Sequence, residues 1–302
     1  MPELPDVTVY VESIAARVAG QPLLGVRVAS PFVVRTFDPP LSEAAGRRVQ
    51  ELLRLGKRIV FVVEGGLFVV IHLMIAGRFR WLDAGAKIPA KVGLAAFDFP
   101  SGTLLLTEAA TRKRASIHLA RSLDEFRRAG IEPLQVTLEQ FDAALRSENH
   151  TLKRALTDPR LFSGIGNAYS DEILHRAKLS PAQLTRKLSA DEVRALFEAT
   201  RAILTDWTER LRKEARNRFP EKVTAFRDDF AVHGRYRKPC PTCGTAVQRI
   251  AYADNETNYC PRCQTDGKLL SDRSLARLLH DDWPRTIEEL EERFPAPRKA
   301  NR

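Results

Sequence analysis

Leu161-Phe-Ser-Gly-Ile-Gly-Asn-Ala-Tyr-Ser-Asp-Glu-Ile-Leu174 decides how the middle of this chain folds. Helix-forming residues lie before it and after Asn167, and Gly164-Ile165-Gly166 interrupts them. The stretch therefore reads as a helix, a two-turn connection and a second helix. Glycines there let the backbone approach a partner closely, and the N–H groups that open the second helix are donors suited to phosphate. For Gly-x-Gly alone, a plain helix junction is the competing reading.

Downstream, Ser189 with Glu192 makes a capping-box pattern. Val193, Leu196, Phe197, Ile203, Leu204 and Trp207 continue it as a long amphipathic helix. Between Arg210 and Lys238 ten basic residues stand against four acidic ones, interleaved with Phe219, Phe226, Phe230 and Tyr236. A solvated basic face is the bland reading, and a surface that tracks phosphates is the sharper one. The whole chain leans the same way, with 48 Lys and Arg against 38 acidic residues, which favours a polyanionic partner.

Cys240-Pro-Thr-Cys243 and Cys260-Pro-Arg-Cys263 follow, sixteen residues apart. This is the spacing of two thiolate knuckles on one tetrahedral zinc. The four thiolates fill the coordination sphere, so the expected metal is structural. Gly244 suits the tight turn after the first knuckle. All four cysteines lie in these pairs. With no secretory signal and no apolar run long enough to span a bilayer, a disulfide framework is not expected, and a reducing, cytoplasmic setting is.

Upstream, Asp6 to about Val18 reads as a helix with Val7, Val11, Ile14 and Val18 on one face, entered through Pro5. From Gly25 to Leu119 the period changes to that of strands: 26–29, 49–53, 59–63, 67–73, 79–82, 94–99, 103–107 and 116–119. Glu64-Gly65-Gly66 and Pro100-Ser101-Gly102 are hairpin turns. Eight short strands over about a hundred residues suggest a two-layer sandwich. The 302 residues, 44% hydrophobic, thus divide as an α+β multidomain chain: a β-sandwich with a leading helix (1–120), a linker (121–135), a helical domain with the helix–two-turn–helix (136–230), a four-cysteine zinc-finger hairpin (231–267) and a tail (268–302). Ser271–Leu279 and Thr286–Arg293 in the tail read as short helices.

At the other end stands Met1-Pro2-Glu3. Methionine is readily trimmed before proline, which leaves a secondary amine that titrates at about 8 and can attack an electrophilic sugar carbon. A neighbouring carboxylate can shuttle the protons.

Six segments in register make the chain resemble the formamidopyrimidine-DNA glycosylase and endonuclease VIII family: Met-Pro-Glu-Leu-Pro-Asp6, Leu55-Gly-Lys57-Arg, Leu152-Lys153, Gly164-Ile-Gly-Asn167-Ala-Tyr169, Val232-His-Gly-Arg235 and the finger ending in Gln264. Leu4 leans toward the formamidopyrimidine branch. The resemblance implies a bifunctional glycosylase and abasic-site lyase that excises oxidised purines from damaged double-stranded DNA. Pro2 would attack C1′, Glu3 would transfer protons and Lys57 would hold the lesion phosphate. Lys153 and Asn167 would hold the backbone, and the zinc hairpin would be a second DNA-binding element. The family habit is monomeric, with no membrane partner. The same chemistry on oxidised pyrimidines, a lesion-binding protein without turnover and a zinc-ribbon RNA binder are the alternatives. Intact Pro2, Glu3 and Lys57 argue against the last two.

Three departures bear on specificity. Where the family has Asp-Pro-Arg-Arg-Phe-Gly and His-Leu-Gly-Met, this chain has Thr107-Glu-Ala-Ala-Thr-Arg-Lys-Arg114 and His72-Leu-Met-Ile-Ala76. Arg112 is the candidate plug for the hole left by the flipped base, and Met74 or Ile75 the wedge. Asn255 stands five residues before the third cysteine, where the family places an arginine that grips the lesion phosphate. Asp6 stands where family members commonly carry Glu and is assigned no catalytic step.

Overall fold

The computed structural model describes residues 1–216, 218–221, 227–252, 255–271 and 284–293. The chain divides into two compact units, Met1–Gly130 with Leu204–Ala225, and Ile131–Ile203 with Phe226–Arg302.

In the first unit, α1 (Leu4–Val18) carries Pro5 in its first turn, where a missing N–H is no loss. Val7, Tyr10, Ile14 and Val18 recur at helical spacing and are fully buried. Tyr10 is the large member that the aliphatic pattern did not single out; its hydroxyl accepts the Phe79 N–H at 3.4 Å. Eight strands follow: β1 (Gly25–Val28), β2 (Val49–Leu55), β3 (Arg58–Val63), β4 (Leu67–His72), β5 (Gly77–Leu82), β6 (Gly93–Phe99), β7 (Gly102–Glu108) and β8 (Ser116–Ala120). They form two antiparallel four-stranded sheets, ordered β1-β6-β7-β5 and β2-β3-β4-β8. Each strand read from the sequence is present.

Alternate residues explain the two layers. Ile59, Phe61 and Val63 pair in register with Ile71, Val69 and Leu67, and this face joins Phe97, Leu104 and Leu106 in the shared core. Phe61 and Phe97 stack with centroids 5.9 Å apart. The opposite face of β3 and β4, with Val60 and Val70, is buried too, beneath Phe126. Both strands are apolar on both faces and so read as continuous hydrophobic runs. The segment after β8, read from sequence as a linker, is therefore anchored at its start: Phe126 is 5% exposed, and the Arg58 guanidinium lies 5.8 Å from its ring centre.

The second unit holds α2 (Leu138–Arg146), α3 (Leu152–Thr157), α4 (Asn167–Ala177) and the first part of α5 (Ala190–Ala215), whose last turns group with the first unit. Ser189 and Glu192 form the expected reciprocal cap, with N–H to side-chain distances of 2.7 and 3.2 Å. Gly164 takes φ +81° in the turn between α3 and α4, a conformation that a residue with a Cβ adopts at a cost. The finger consists of β9 (Gln248–Tyr252), β10 (Asn255–Tyr259) and α6 (Pro261–Thr265). In the tail, α7 (Ile287–Arg293) is capped by Thr286, whose hydroxyl accepts the Glu289 N–H at 3.2 Å. The Glu289 carboxylate reaches the Arg285 N–H at 2.8 Å, one residue before the position a capping box uses. The expected helix at 271–279 lies, past Ser271, outside the described residues.

Leu55 pairs with Arg58, so Gly56-Lys57 is a two-residue hairpin loop. Gly56 has φ +60° while Lys57 is absent from the left-handed residues, the pattern of a type II′ turn with glycine first. Gly56→Val should cost about 1–2 kcal/mol, read from urea unfolding of the full chain. A variant as stable as the parent would contradict this turn.

Candidate active site and nucleic-acid interface

The first unit gathers the amino-terminal residues into a buried cluster. Pro2 is buried, Glu3 is 2% and Asp6 1% exposed. Glu3 is the N-cap of α1, and it forms a capping box with Asp6. The Glu3 N–H donates to the Asp6 carboxylate at 2.8 Å, and the Glu3 carboxylate accepts the Asp6 N–H. Asp6 thus fixes the backbone that carries Glu3. With Met1 in place the proline nitrogen is an amide. Burial holds the α-amino group at this end below its ordinary value; the fields of Glu3 and Asp6 oppose the shift, while those of Arg78 and Lys57 add to it. Lys57, at its hairpin tip, therefore acts on the same spot as Glu3. Arg78 is an addition that no motif in the sequence flagged. A cavity of about 570 Å³ opens beside Asp6, walled by Val9, Trp81, Leu211, Phe219 and Pro220.

His72 is a second residue missed at the sequence level, although it heads the His72-Leu-Met-Ile segment. Its Nδ1 accepts the Met74 N–H at 3.0 Å, so the neutral ring carries its proton on Nε2. Burial, reinforced by Arg58, Lys57 and His118, lowers its pKa to about 4. Met74 itself has φ +51°, left-handed backbone that glycine supplies freely, and Ile75 beside it is 51% exposed. Arg112 is exposed on a loop held by Glu108, whose buried carboxylate accepts the N–H groups of Arg114 and Ala115 at 2.8 and 3.0 Å.

The second unit is organised by two adjacent carboxylates on α4. Asp171 is fully buried and receives the Lys153 ammonium at 2.5 Å, the His233 ring at 2.8 Å and the Asn258 N–H at 3.1 Å. Glu172 accepts three successive N–H groups, from Ala231, Val232 and His233, at 2.7–3.0 Å. Burial pushes its pKa up, and those three bonds oppose the shift. The Val232-His-Gly-Arg235 motif is thereby explained as the clasp between α4 and the finger. Lys153 also donates to the Asn167 carbonyl at 2.7 Å and to Ser170 Oγ at 2.8 Å, so its three protons have acceptors within the protein. Asn167 is half-buried in the first turn of α4, an end with no side-chain cap. Asn255 opens β10 opposite Tyr252; its side chain lies outside the described groups.

The four cysteine sulfurs lie within 4.8 Å of one another, with Cys240–Cys263 at 4.0 Å and Cys243–Cys260 at 3.4 Å. Zn–S bonds of about 2.3 Å place tetrahedral sulfurs about 3.8 Å apart, so the donor set fits one zinc ion. The Thr242 N–H points at Cys240 Sγ at 3.4 Å, and Gly244 makes the knuckle turn at φ +77°. Gln264 closes the finger, its side chain bonding the Cys260 N–H and the Leu179 carbonyl at 2.8 and 2.9 Å. Among the described residues, no helix is long and apolar enough to cross a membrane.

Two outcomes follow from this chemistry. His72 binds fewer protons folded than unfolded, so its contribution to stability is complete above pH 6.5 and is lost as pH falls toward 4. Over that window the stability difference between the parent and His72→Gln should shrink by of order 2–3 kcal/mol. A constant difference in urea unfolding would contradict the buried neutral ring. Metal analysis should give one zinc per chain, and Cys240→Ser should abolish duplex binding with the β-sandwich still folded. Normal binding by that variant would dismiss the finger as a DNA-binding element.

Comparison with known proteins matches three family models along the chain. These are the formamidopyrimidine-DNA glycosylase N-terminal domain at residues 1–122, the formamidopyrimidine-DNA glycosylase H2TH domain at 129–216, and the zinc finger found in FPG and IleRS at 237–265. The formamidopyrimidine-DNA glycosylase of Solibacter usitatus is 32% identical over 280 residues, covering 87% of this chain and 99% of its own. Among solved structures, the Lactococcus lactis Fpg in complex with abasic-site DNA is similar with a TM-score of 0.77 at 25% identity, covering 87% of this chain and 99% of that one. The MutM (FPG) protein of Thermus thermophilus gives 0.74 at 33%, covering 87% and 98%. The chain belongs to the formamidopyrimidine-DNA glycosylase family of base-excision repair enzymes.

Proposed function

We propose that the protein is a bifunctional glycosylase and abasic-site lyase that removes oxidised purines from duplex DNA through an imino intermediate on Pro2. The observation that carries this reading is the buried Pro2-Glu3 pair, with Asp6 fixing Glu3 and with Lys57 and Arg78 acting on the amino terminus. Once Met1 is removed, the secondary amine of Pro2 occupies a setting that already favours the neutral form. Its lone pair attacks C1′, the base departs with a proton supplied through Glu3, and the sugar opens. A buried amine reaches C1′ only if the nucleotide leaves the stack, and the cavity beside Asp6 is the space proposed for the extruded base.

The remaining roles follow from position. Lys57 holds the lesion phosphate and assists elimination. Asn167, in the first turn of α4, contacts the backbone, and Lys153 acts through α4, since its ammonium is occupied by Asp171 and its neighbours. Met74 takes the glycine's place in the His-Leu-Gly-Met pattern, which makes Ile75 the wedge and exposed Arg112 the plug. The protein works as a monomer inside the cell. Preference for oxidised purines rests on the N-terminal motif and on relatives such as the L. lactis protein, solved with Fapy-dG DNA. That same protein has also been solved with an oxidised pyrimidine. Duplexes carrying 8-oxoguanine, formamidopyrimidine, thymine glycol or dihydrouracil separate the two preferences. Faster release of the purine lesions is expected, and faster release of the pyrimidines would reverse the assignment.

Glu3→Gln should suppress base excision far more than cleavage of a preformed abasic site, because expelling a base needs the greater proton assistance. Equal loss of both activities would reduce Glu3 to its capping role. Asn255 generates a further expectation. An amide lacks the charge-assisted, bidentate grip of guanidinium, and by the second elimination the opened sugar is mobile and must be held. Abasic-site cleavage should therefore stop mainly at the β-elimination product, and Asn255→Arg should raise the δ product. Rapid, complete δ-elimination by the unmodified protein would show that Arg249 or Arg262 replaces the missing arginine.

A further inference from the structure

We propose that His175 is a positioning residue of the zinc site, donating its Nε2 proton to the Cys240 thiolate. His175 lies in the last turn of α4 and is 8% exposed; Cys240 is 2% exposed. Nε2 and Sγ are 3.3 Å apart, inside the range for a hydrogen bond to sulfur. The direction follows from charge. Four thiolates around a divalent ion leave a net charge of about −2 and no thiol proton, so the shared proton belongs to the imidazole. The Thr242 N–H reaches the same sulfur from the knuckle turn at 3.4 Å. Cys240 therefore carries two donors on the protein-facing side of the site, whereas Cys243 is exposed.

His175 follows Asp171 by four residues and so shares its face of α4. One helix face thus holds the finger at the Asn258 backbone through Asp171 and at the metal-binding sulfur through His175. Glu172, one residue on, adds the clasp at residues 231–233. An N–H bond to a metal thiolate draws electron density from sulfur, which slows metal loss and lowers the sulfur's reactivity toward electrophiles. A ring that merely filled space would do neither.

The test uses full-length protein and two readouts: transfer of zinc to the chromophoric chelator 4-(2-pyridylazo)resorcinol, and the thiolate-to-cobalt charge-transfer band of the cobalt(II)-substituted protein. His175→Phe keeps a ring but loses the donor; it should release zinc about 10–100-fold faster and move the band to longer wavelength. His175→Gln places an amide N–H near the same sulfur and should restore slow release and the parental band. Parental behaviour in the Phe variant overturns the proposal. So does a Gln variant that releases zinc as fast as the Phe variant, since packing would then be the whole effect. If the Phe variant does not fold, the Gln variant decides alone, with slow release supporting the donor role and fast release refuting it.

Discussion

A carboxylate taken out of water must be given hydrogen-bond donors or neutralised, and both units are built around that requirement. In the first, Glu3 and Asp6 are almost fully buried and answer each other's backbone N–H groups. In the second, Asp171 and Glu172 are buried side by side on α4 and collect Lys153, His233, Asn258 and three backbone N–H groups. Removing any one donor leaves a buried charge short of a partner, which is costlier than losing an exposed ion pair. The functional groups are therefore fixed by neighbours that cannot be given up cheaply.

The two carboxylate pairs serve different ends. Around Glu3 the bonds hold the carboxylate proposed to transfer protons beside the amino terminus, where burial favours an uncharged amine. Around Asp171 and Glu172 they make α4 a common support, its first turn presenting Asn167 and its body holding the finger. A lysine in a DNA-binding family reads as a phosphate contact, and here the Lys153 ammonium donates to three acceptors that all lie on α4, the Asn167 carbonyl, Ser170 Oγ and Asp171.

Much of the fold was legible because period-2 and period-3.6 patterns persist wherever one face is buried. The eight strands, α1, the Ser189–Glu192 capping box and the cysteine knuckles all follow from local chemistry. Residues whose roles depend on contacts distant in sequence were not legible. Glu172 is separated from its donors by about sixty positions and looks like any helical glutamate. Arg78 and His118 carry no motif, and Phe126 is a lone aromatic in a polar stretch whose burial depends on the second face of β3 and β4. The left-handed backbone at Met74 was hidden because methionine gives no sign of a position that glycine would mark. Lys57 and Asn167 were found through motif resemblance, whereas Glu3 was already marked as the carboxylate beside the proline amine. Composition showed only that a basic chain seeks a polyanion.

The central claim is that the nitrogen of Pro2, buried beside Glu3, is the nucleophile. Borohydride reduction of the protein on abasic-site DNA, followed by proteolysis and mass spectrometry of the cross-linked peptide, tests it directly. The account predicts a reduced sugar remnant on the amino-terminal peptide, with Met1 absent and the added mass on Pro2. An adduct on Lys57 or another lysine, with Pro2 unmodified, would contradict it.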